Sequence, residues 1–332
     1  MYKDKVILIT GGTGSWGNEL VKQLLDKKPK EIRIFSRGEL SQVNMQRKFE
    51  DDRLKFIIGD IRDYKSLEEA TKGVQYVFHL AALKHVPVCE IQPYEAIKTN
   101  ILGTENLVRA CKKNKVKKVI DVSTDKAVDP LNLYGMTKAV GEKIIIQANL
   151  EESETKFVCI RAGNVLGSNG SVVPLFINQI QVNRKITITD LKMTRYFITL
   201  QEAISLLFKA AEASYGGETF VMKMPAYKIK DIAEVLIKNS KSENIVIEEV
   251  GMRPGEKLEE VLVSRYEAIN TYKYDENYYV IMPTLTIKGL KEKYDKLNLE
   301  KVNFKEYTSS DEILSKDKVN ELLIKGNYTV AD

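Results

Sequence analysis

Between residues 5 and 161 the chain changes its hydrophobic period again and again. Apolar runs near 5–10, 31–36, 54–58, 75–79, 117–122 and 156–161 alternate with stretches of helical spacing. Each gap is long enough for a helix, which implies right-handed crossovers between parallel strands and a doubly wound α/β sheet. The first run, KVILIT, has no internal polar break, as suits a strand buried on both faces. Sheets of this kind bind ligands at the carboxyl ends of their strands. That edge would collect Gly11–Gly17, Arg37, Asp60, Ala81-Ala82-Leu83-Lys84 and Ser123–Lys126, five separate segments around one crevice.

The first strand runs straight into Gly11-Gly12-Thr13-Gly14-Ser15-Trp16-Gly17, and a helical stripe of Leu20, Val21, Leu24 and Leu25 follows. Gly11, Gly14 and Gly17 suit a tight turn, a close backbone approach to a pyrophosphate, and tight packing of helix on strand. The helix start adds unpaired N–H groups and the positive end of its dipole. The second strand ends in Ser36-Arg37, where an acid would hold a ribose 2′-hydroxyl. A basic residue there favours a 2′-phosphate, hence NADP over NAD.

Residues 119–138, VIDVSTDKAVDPLNLYGMTK, form the second informative stretch. Tyr134 and Lys138 are four apart and share one helix face. Asp125 and Lys126, an acid and a base, precede them at a strand end. The group can surround one small molecule with a tyrosine, a proton donor and a proton acceptor. Tyr94 and Lys98 repeat the spacing without an acid–base pair beside them and are expected to be a solvated or packing pair.

After residue 162 the rhythm breaks. Gly163, Gly167, Gly170 and Pro174 suggest an irregular loop, and a short helix is expected over 173–182. A β-like run at 186–189, a helix over 200–213, a strand at 219–222 and a β-run at 245–250 follow. The turn Arg253-Pro254-Gly255-Glu256 comes next, and residues 300–332 read as a polar, unpatterned tail that packs on the surface or on a neighbouring subunit.

The 332 residues suffice for a full core in one large or two small domains. The net charge of +5 is mild. Its densest cluster, 112–118, lacks interleaved aromatics and reads as a solvated helix end, which argues against nucleic acid. The chain starts directly in a strand and has no run suited to a bilayer, so a cytoplasmic protein without signal peptide or membrane span is expected. Cys89, Cys111 and Cys159 are too few and scattered for a disulfide framework, and with His79 and His85 they suggest no metal site.

The chain resembles the extended short-chain dehydrogenase/reductase superfamily and, within it, the UDP-N-acetylglucosamine 4,6-dehydratases. The resemblance covers roughly residues 1–285 and rests on ITGGTGSWG, IRIFSRGE, FIIGDIRD, AALKHVP, STDKAVDPLNLYGMTK, GNVLGSNGSVVPLF, ITDLKMTRYF and GMRPGEKL. It implies a Rossmann-type NADP domain over 1–165, completed by about 195–222. A smaller substrate-binding domain and tail would take 166–194 and 223–332. It assigns Tyr134 as base for the sugar O4, Lys138 as the group that lowers the tyrosine's pKa, and Thr124 as the superfamily's Ser/Thr. Asp125 and Lys126 become the acid and base of dehydration. NADP would be held by Gly11, Thr13, Gly14, Ser15, Trp16 and Gly17, by Ser36, Arg37, Asp60 and Ile61, and by Ala81, Ala82, Lys84, Tyr134 and Lys138. UDP-N-acetylglucosamine would meet Lys84, Asn164, Val173, Thr187, Arg195, Arg253 and Glu256. A homo-oligomer, dimer or hexamer, is expected. Departures from the family pattern are Trp16 for Phe, Gly38 for an acid and Ala162 for an aromatic.

Such an enzyme oxidises C4, eliminates water across C5 and C6, and returns the hydride to C6. The scheme calls for a Lys126 with a depressed pKa and an Asp125 that arrives protonated. Retention at C5, inversion at C5 and release of the 5,6-ene stay open. A 4-epimerase of the same superfamily, which has no use for the Asp-Lys pair, and a non-catalytic NADP-binding protein are the rival readings.

Overall fold

The computed structural model describes residues 1–151, 153–167, 171–240 and 242–328. The first half alternates strictly. It runs β1 (Val6–Thr10), α1 (Ser15–Asp26), β2 (Glu31–Ser36), α2 (Glu39–Phe49), β3 (Leu54–Ile58), α3 (Tyr64–Thr71) and β4 (Tyr76–His79). Next come α4 (Val86–Ile91), α5 (Pro93–Ile97), a π-helical turn (Lys98–Leu102), α6 (Gly103–Lys113), β5 (Lys118–Thr124), α7 (Leu133–Gln147) and β6 (Lys156–Ala162). The second half continues with β7 (Asn164–Val165), α8 (Val172–Asn183), β8 (Lys185–Ile188), β9 (Thr194–Ile198), α9 (Leu200–Ala213), β10 (Thr219–Met222) and β11 (Ala226–Lys228). It closes with α10 (Ile229–Ser240), β12 (Val246–Glu249), β13 (Val261–Val263), α11 (Arg265–Ala268), β14 (Thr271–Lys273), β15 (Tyr278–Ile281), α12 (Leu290–Asp295), β16 (Tyr307–Thr308) and α13 (Lys316–Lys325).

Nine strands form the main sheet, in the order β14-β15-β10-β6-β5-β4-β1-β2-β3. From β3 to β10 all pairings are parallel, as the alternation predicts. Strand side chains alternate between two cores. Ile7 and Ile9 face α1 and α9 with Leu20, Leu24, Ile204 and Leu207, whereas Leu8 turns to α3, α6 and α7 with Leu67, Leu107 and Ile145. Strands buried on both faces explain the unbroken apolar runs.

Two features differ from expectation. β15 and β14 extend the sheet antiparallel, so residues 271–281 join it as well as 219–222. Their shortness and their tyrosines hide them in a polar neighbourhood. The expected unpatterned tail carries β16, paired with β13, and α13, whose Val319, Leu322 and Leu323 enter a third core with α8, β8 and α10. The i, i+3, i+4 stripe of α13 is narrow, and five charged residues in its ten-residue span obscure it. Among the described residues no helix is long and apolar enough to cross a membrane.

An ion pair ties the two halves together. Arg161 on β6 is fully buried and meets Glu142 of α7 at 2.7 Å and Glu267 of α11 at 3.0 Å, and it donates to the Leu262 carbonyl at 2.9 Å. Removing one partner of such a set strands the others in a low dielectric. Arg161→Met should therefore cost about 3–5 kcal/mol, read as a lowered denaturant midpoint. A midpoint equal to the parent's would show that the pair contributes nothing to stability.

Candidate active site

Every cofactor segment named above lies at the carboxyl end of its strand. Gly11 has φ +66°, and a Cβ there would lie 2.8 Å from the Ala81 backbone. A Cβ on Gly17 would collide with the Gly12 carbonyl. Gly14 is different: its nearest neighbour for a Cβ is the Gly11 carbonyl at 3.4 Å, so its outer face is open. It also sits at the start of α1, which has no side-chain cap and no acid in its first turn. An open glycine on an uncapped 12-residue helix fits a dinucleotide pyrophosphate. Trp16 packs partly buried against the core. Thr13 and Ser15 lie in the same turn.

Around the second strand, Ser36 is held by Gln42, whose Nε2 donates to the Ser36 carbonyl and Oγ at 3.0 Å and to the Ile57 carbonyl at 2.8 Å. Arg37 is half exposed, 4.0 Å from Asp60. Asp60 is gripped mainly by Arg62, and although burial acts to raise its pKa, the Arg62 bonds hold it below the usual carboxylate range. Ile61 packs under Gly103. The Ala81–Lys84 loop is clamped to α7 by Asn100. This side chain accepts from Leu83 N at 2.8 Å and donates to the Leu83 carbonyl and Thr137 Oγ1, each at 2.9 Å. Ala82 lies inside that loop.

The catalytic candidates come together because α7 starts almost on top of the turn after β5. Gly135 permits this, since a Cβ there would overlap the Lys126 carbonyl. Asn132 caps the helix by accepting from Gly135 N at 2.8 Å. Its Nδ2 donates to the Gly255 carbonyl at 2.9 Å, and Lys257 Nζ donates to the Val128 carbonyl at 2.7 Å. The Arg253–Glu256 turn is thereby latched onto the turn after β5 and the start of α7.

Asp125 is 1 % exposed. Its Oδ1 accepts from Thr124 at 2.9 Å and from Lys126 at 3.0 Å, and its Oδ2 is buried with no hydrogen-bond partner. Lys126 also donates to Asn164 at 3.3 Å and reaches Glu260 at 3.2 Å. The expected depressed lysine is not found. Burial acts against its charge, but Asp125 and Glu260 outweigh burial and hold Lys126 above the usual lysine range. Lys84, nearby, is lowered by burial and by the Lys126 charge.

Tyr134 also departs from expectation. Burial raises its pKa, and Lys138, Lys126 and a Thr124 hydrogen bond counteract this without cancelling it. Burial is the reason; Lys138 does act to lower the phenol, as expected, and is itself turned to Asp121 at 3.3 and 3.4 Å. Burial works against the Lys138 charge, and Asp121 overcomes it and holds Lys138 above the usual lysine range.

The substrate candidates divide. Asn164 and Lys84 lie by Lys126. Arg253 is exposed, with its N–H on Glu256 at 3.1 Å. Arg195 is turned inward: its guanidinium serves the carbonyls of Thr194, Lys257 and Leu258 and faces Glu260 at 3.4 Å. Val173 is fully buried in the third core, and Thr187 is half-buried and accepts from Gln179 at 2.8 Å. These three hold structure rather than face an open crevice. Tyr94 is exposed and Lys98 pairs with Glu95, in line with a solvated pair. Sequence reasoning missed Gln42, Asn100, Asp121 and Glu260. For Asp121 a signal existed, an acid inside an otherwise buried parallel strand. Asp121→Asn should release the Lys138 field onto Tyr134. The phenol should titrate about one pH unit lower or more, read by tyrosinate absorbance against a Tyr134→Phe blank. An unmoved titration would show that Asp121 does not govern the pair.

Comparison with known proteins agrees with this fold. A family model described as polysaccharide biosynthesis protein matches residues 7–282. A UDP-glucose 4-epimerase of Rickettsia bellii is 45% identical, covering 99% of this chain and 98% of its own. A UDP-N-acetylglucosamine 4,6-dehydratase (inverting) of Campylobacter jejuni is 44% identical over 86% of this chain and 85% of its own. The solved structure of Pen from Bacillus thuringiensis superposes with a TM-score of 0.90 at 40% identity, covering 98% of this chain and 99% of that one. A dTDP-glucose 4,6-dehydratase from Streptomyces venezuelae, solved with NAD and TYD bound, shares the fold with a TM-score of 0.70 at 21% identity over 76% and 86% of the two chains. With its parallel sheet, glycine turn and Tyr-x-x-x-Lys helix, the chain belongs to this polysaccharide biosynthesis family, within the extended short-chain dehydrogenase/reductase superfamily.

Proposed function

We propose that the protein is a sugar-nucleotide-modifying enzyme whose reaction is the 4,6-dehydration of UDP-N-acetylglucosamine, assisted by NADP. The observation that carries this reading is the pair of buried Asp125 and partly buried Lys126 beside Tyr134. Simple hydride transfer at C4 needs no such pair, whereas loss of water needs both an acid and a base. The chain would bind the cofactor at Gly11, Gly14, Gly17, Arg37 and Asp60, with Lys138 at its ribose.

The bound nicotinamide would take a hydride from C4 and give it back at C6. Tyr134 would enter as the phenolate, a form that burial opposes and the Lys138 and Lys126 charges favour, and receive the O4 proton to become the neutral phenol. The C4 ketone makes the C5 hydrogen acidic. Lys126 and Asp125 together hold one proton. In the resting pair it sits on the amine. Its passage along the 3.0 Å hydrogen bond yields a neutral amine base and a neutral carboxylic acid in one move. Lys126 then removes the C5 proton while Asp125 delivers its own to the leaving C6 hydroxyl. The UDP moiety lies away from this chemistry, and its binding energy can hold the hexose in the reactive pose.

The test is incubation with UDP-N-acetylglucosamine in D2O, followed by NMR. The expected product is a 6-deoxy-4-keto sugar nucleotide with deuterium at C5. Tyr134→Phe should lose at least about a hundredfold in rate, the low end for a positioned acid–base group. Asp125→Asn and Lys126→Met should still show transient reduced-cofactor absorbance yet release little product. Full-length similarity to proteins named UDP-glucose 4-epimerase favours a second reading. Turnover to the C4 epimer without loss of water would establish it and remove the dehydratase.

For the cofactor, Arg37→Ala should weaken NADP about 10- to 100-fold, the range for a lost hydrogen bond to a charged group, and leave NAD nearly unchanged. Calorimetry with both dinucleotides measures this. Equal losses, or a parent enzyme that binds both alike, would remove the NADP preference.

A further inference from the structure

The carboxylate of Glu260 has no role in the reaction as described, yet it lies within the catalytic cluster. It is 3 % exposed and comes from a distant part of the chain, just before β13. Its backbone is pinned on both sides by Ser309, whose Oγ accepts from Glu260 N at 2.9 Å and whose N–H donates to the Glu260 carbonyl at 2.9 Å. Oε1 lies 3.2 Å from Lys126 Nζ and 3.4 Å from Arg195 Nε, and Oε2 is buried with no hydrogen-bond partner.

We infer that Glu260 is a positioning residue that fixes Lys126 beside Asp125 and keeps the pair's single proton on the lysine until the sugar is in place. The inference rests on the reading of Lys126 as the C5 base. Three arguments support it. First, Asp125 is the neighbour of Lys126 in the chain, but Glu260 can reach it only if the 253–260 segment has docked. That docking is visible in the Asn132–Gly255 and Lys257–Val128 hydrogen bonds. Second, the same segment holds Arg253 and Glu256, the turn assigned to the sugar nucleotide, so a ligand that shifts the turn also shifts the Glu260 carboxylate. Third, Arg195 lies on the far side of Glu260 with its other donors committed to carbonyls, so it can lower the carboxylate's grip on Lys126 without replacing it.

The charged and titratable groups facing Lys126 are Asp125 and Glu260, which stabilise its cation, and Arg195, Lys84 and Tyr134. Removing the Glu260 charge therefore leaves one carboxylate against two cations, and the amine becomes free at lower pH. The step itself is a proton transfer. The N–H bond of Lys126 breaks as an O–H bond forms on Asp125, with no change in net charge and no co-reactant.

The experiment is exchange of the C5 hydrogen of UDP-N-acetylglucosamine with D2O as a function of pH, on the full chain with NADP. In the parent, exchange should be flat where the pair keeps its one proton and the free amine forms by internal transfer to Asp125, and should rise at higher pH where Lys126 also loses its proton to solvent. In Glu260→Gln that rise should move down by about one pH unit or more, so that exchange on its lower flank is about tenfold faster than in the parent. Transient C4 oxidation and the KM should change far less than the pH profile. Glu260→Met carries the same expectation if the amide variant is not recovered folded. If a folded variant loses exchange equally at every pH, the residue is structural and the inference fails. Failure of both variants to fold has the same meaning. Lys126→Met separates the two levels. If it leaves exchange intact, the assignment of the base is wrong. If it abolishes exchange while Glu260→Gln leaves the profile in place, only the role of Glu260 is wrong.

Discussion

Lys126 is a largely buried cation, its side chain 25 % exposed, held between two carboxylates, Asp125 at 3.0 Å and Glu260 at 3.2 Å. Taking an isolated ammonium out of water costs several kcal/mol, and only close partners offset that. Asp125 by itself would give a local pair at the end of β5. The second carboxylate requires residues 253–260 to lie across the turn after β5. The same electrostatic requirement that keeps Lys126 buried therefore also closes the second half of the chain over the first. Arg195 completes the arrangement from within, since its guanidinium links Glu260 to the carbonyls of 257 and 258.

Two further buried ion sets run beneath the site along the same strands. Asp121 and Lys138 sit under Tyr134. Arg161 joins Glu142 and Glu267 on the other side of α7. His79, paired with Asp121 across β4 and β5, is held neutral: burial lowers its pKa to about 4, and it bridges Thr10 and Thr104. These two ion sets and His79 are thus polar but internally satisfied. Such networks have strict geometric demands, because a half-satisfied one is costly in a low dielectric. They hold α7, and with it Tyr134, in one place.

The glycine turn works by the opposite means. There the backbone comes close because side chains are absent. Gly11 and Gly17 have no room for a Cβ, and Gly14 has room that nothing in the protein fills. Packing uses two of the glycines, and the third leaves a surface at the uncapped start of α1. The division of labour within one short motif explains why its spacing carries more information than its glycine count.

The parallel sheet, its strand positions, the glycine cradle and the closeness of Thr124, Asp125, Lys126, Tyr134 and Lys138 were all legible in the sequence. Each depends on local causes: period, turn chemistry and helical spacing over a few residues. Glu260, Asn100, Gln42 and the antiparallel strands β14 and β15 were not, because their roles are set by partners remote in the chain. The protonation states were also hidden. From sequence, Lys126 should be a depressed lysine and Lys138 should lower Tyr134; in the folded protein Asp125 and Glu260 hold Lys126 up, and burial keeps Tyr134 raised although Lys138 does act to lower it. Sequence by itself determined which chemical groups meet at the crevice. Tertiary structure decided which charges stand behind them, because electrostatic energy depends on distance and burial and not on order along the chain.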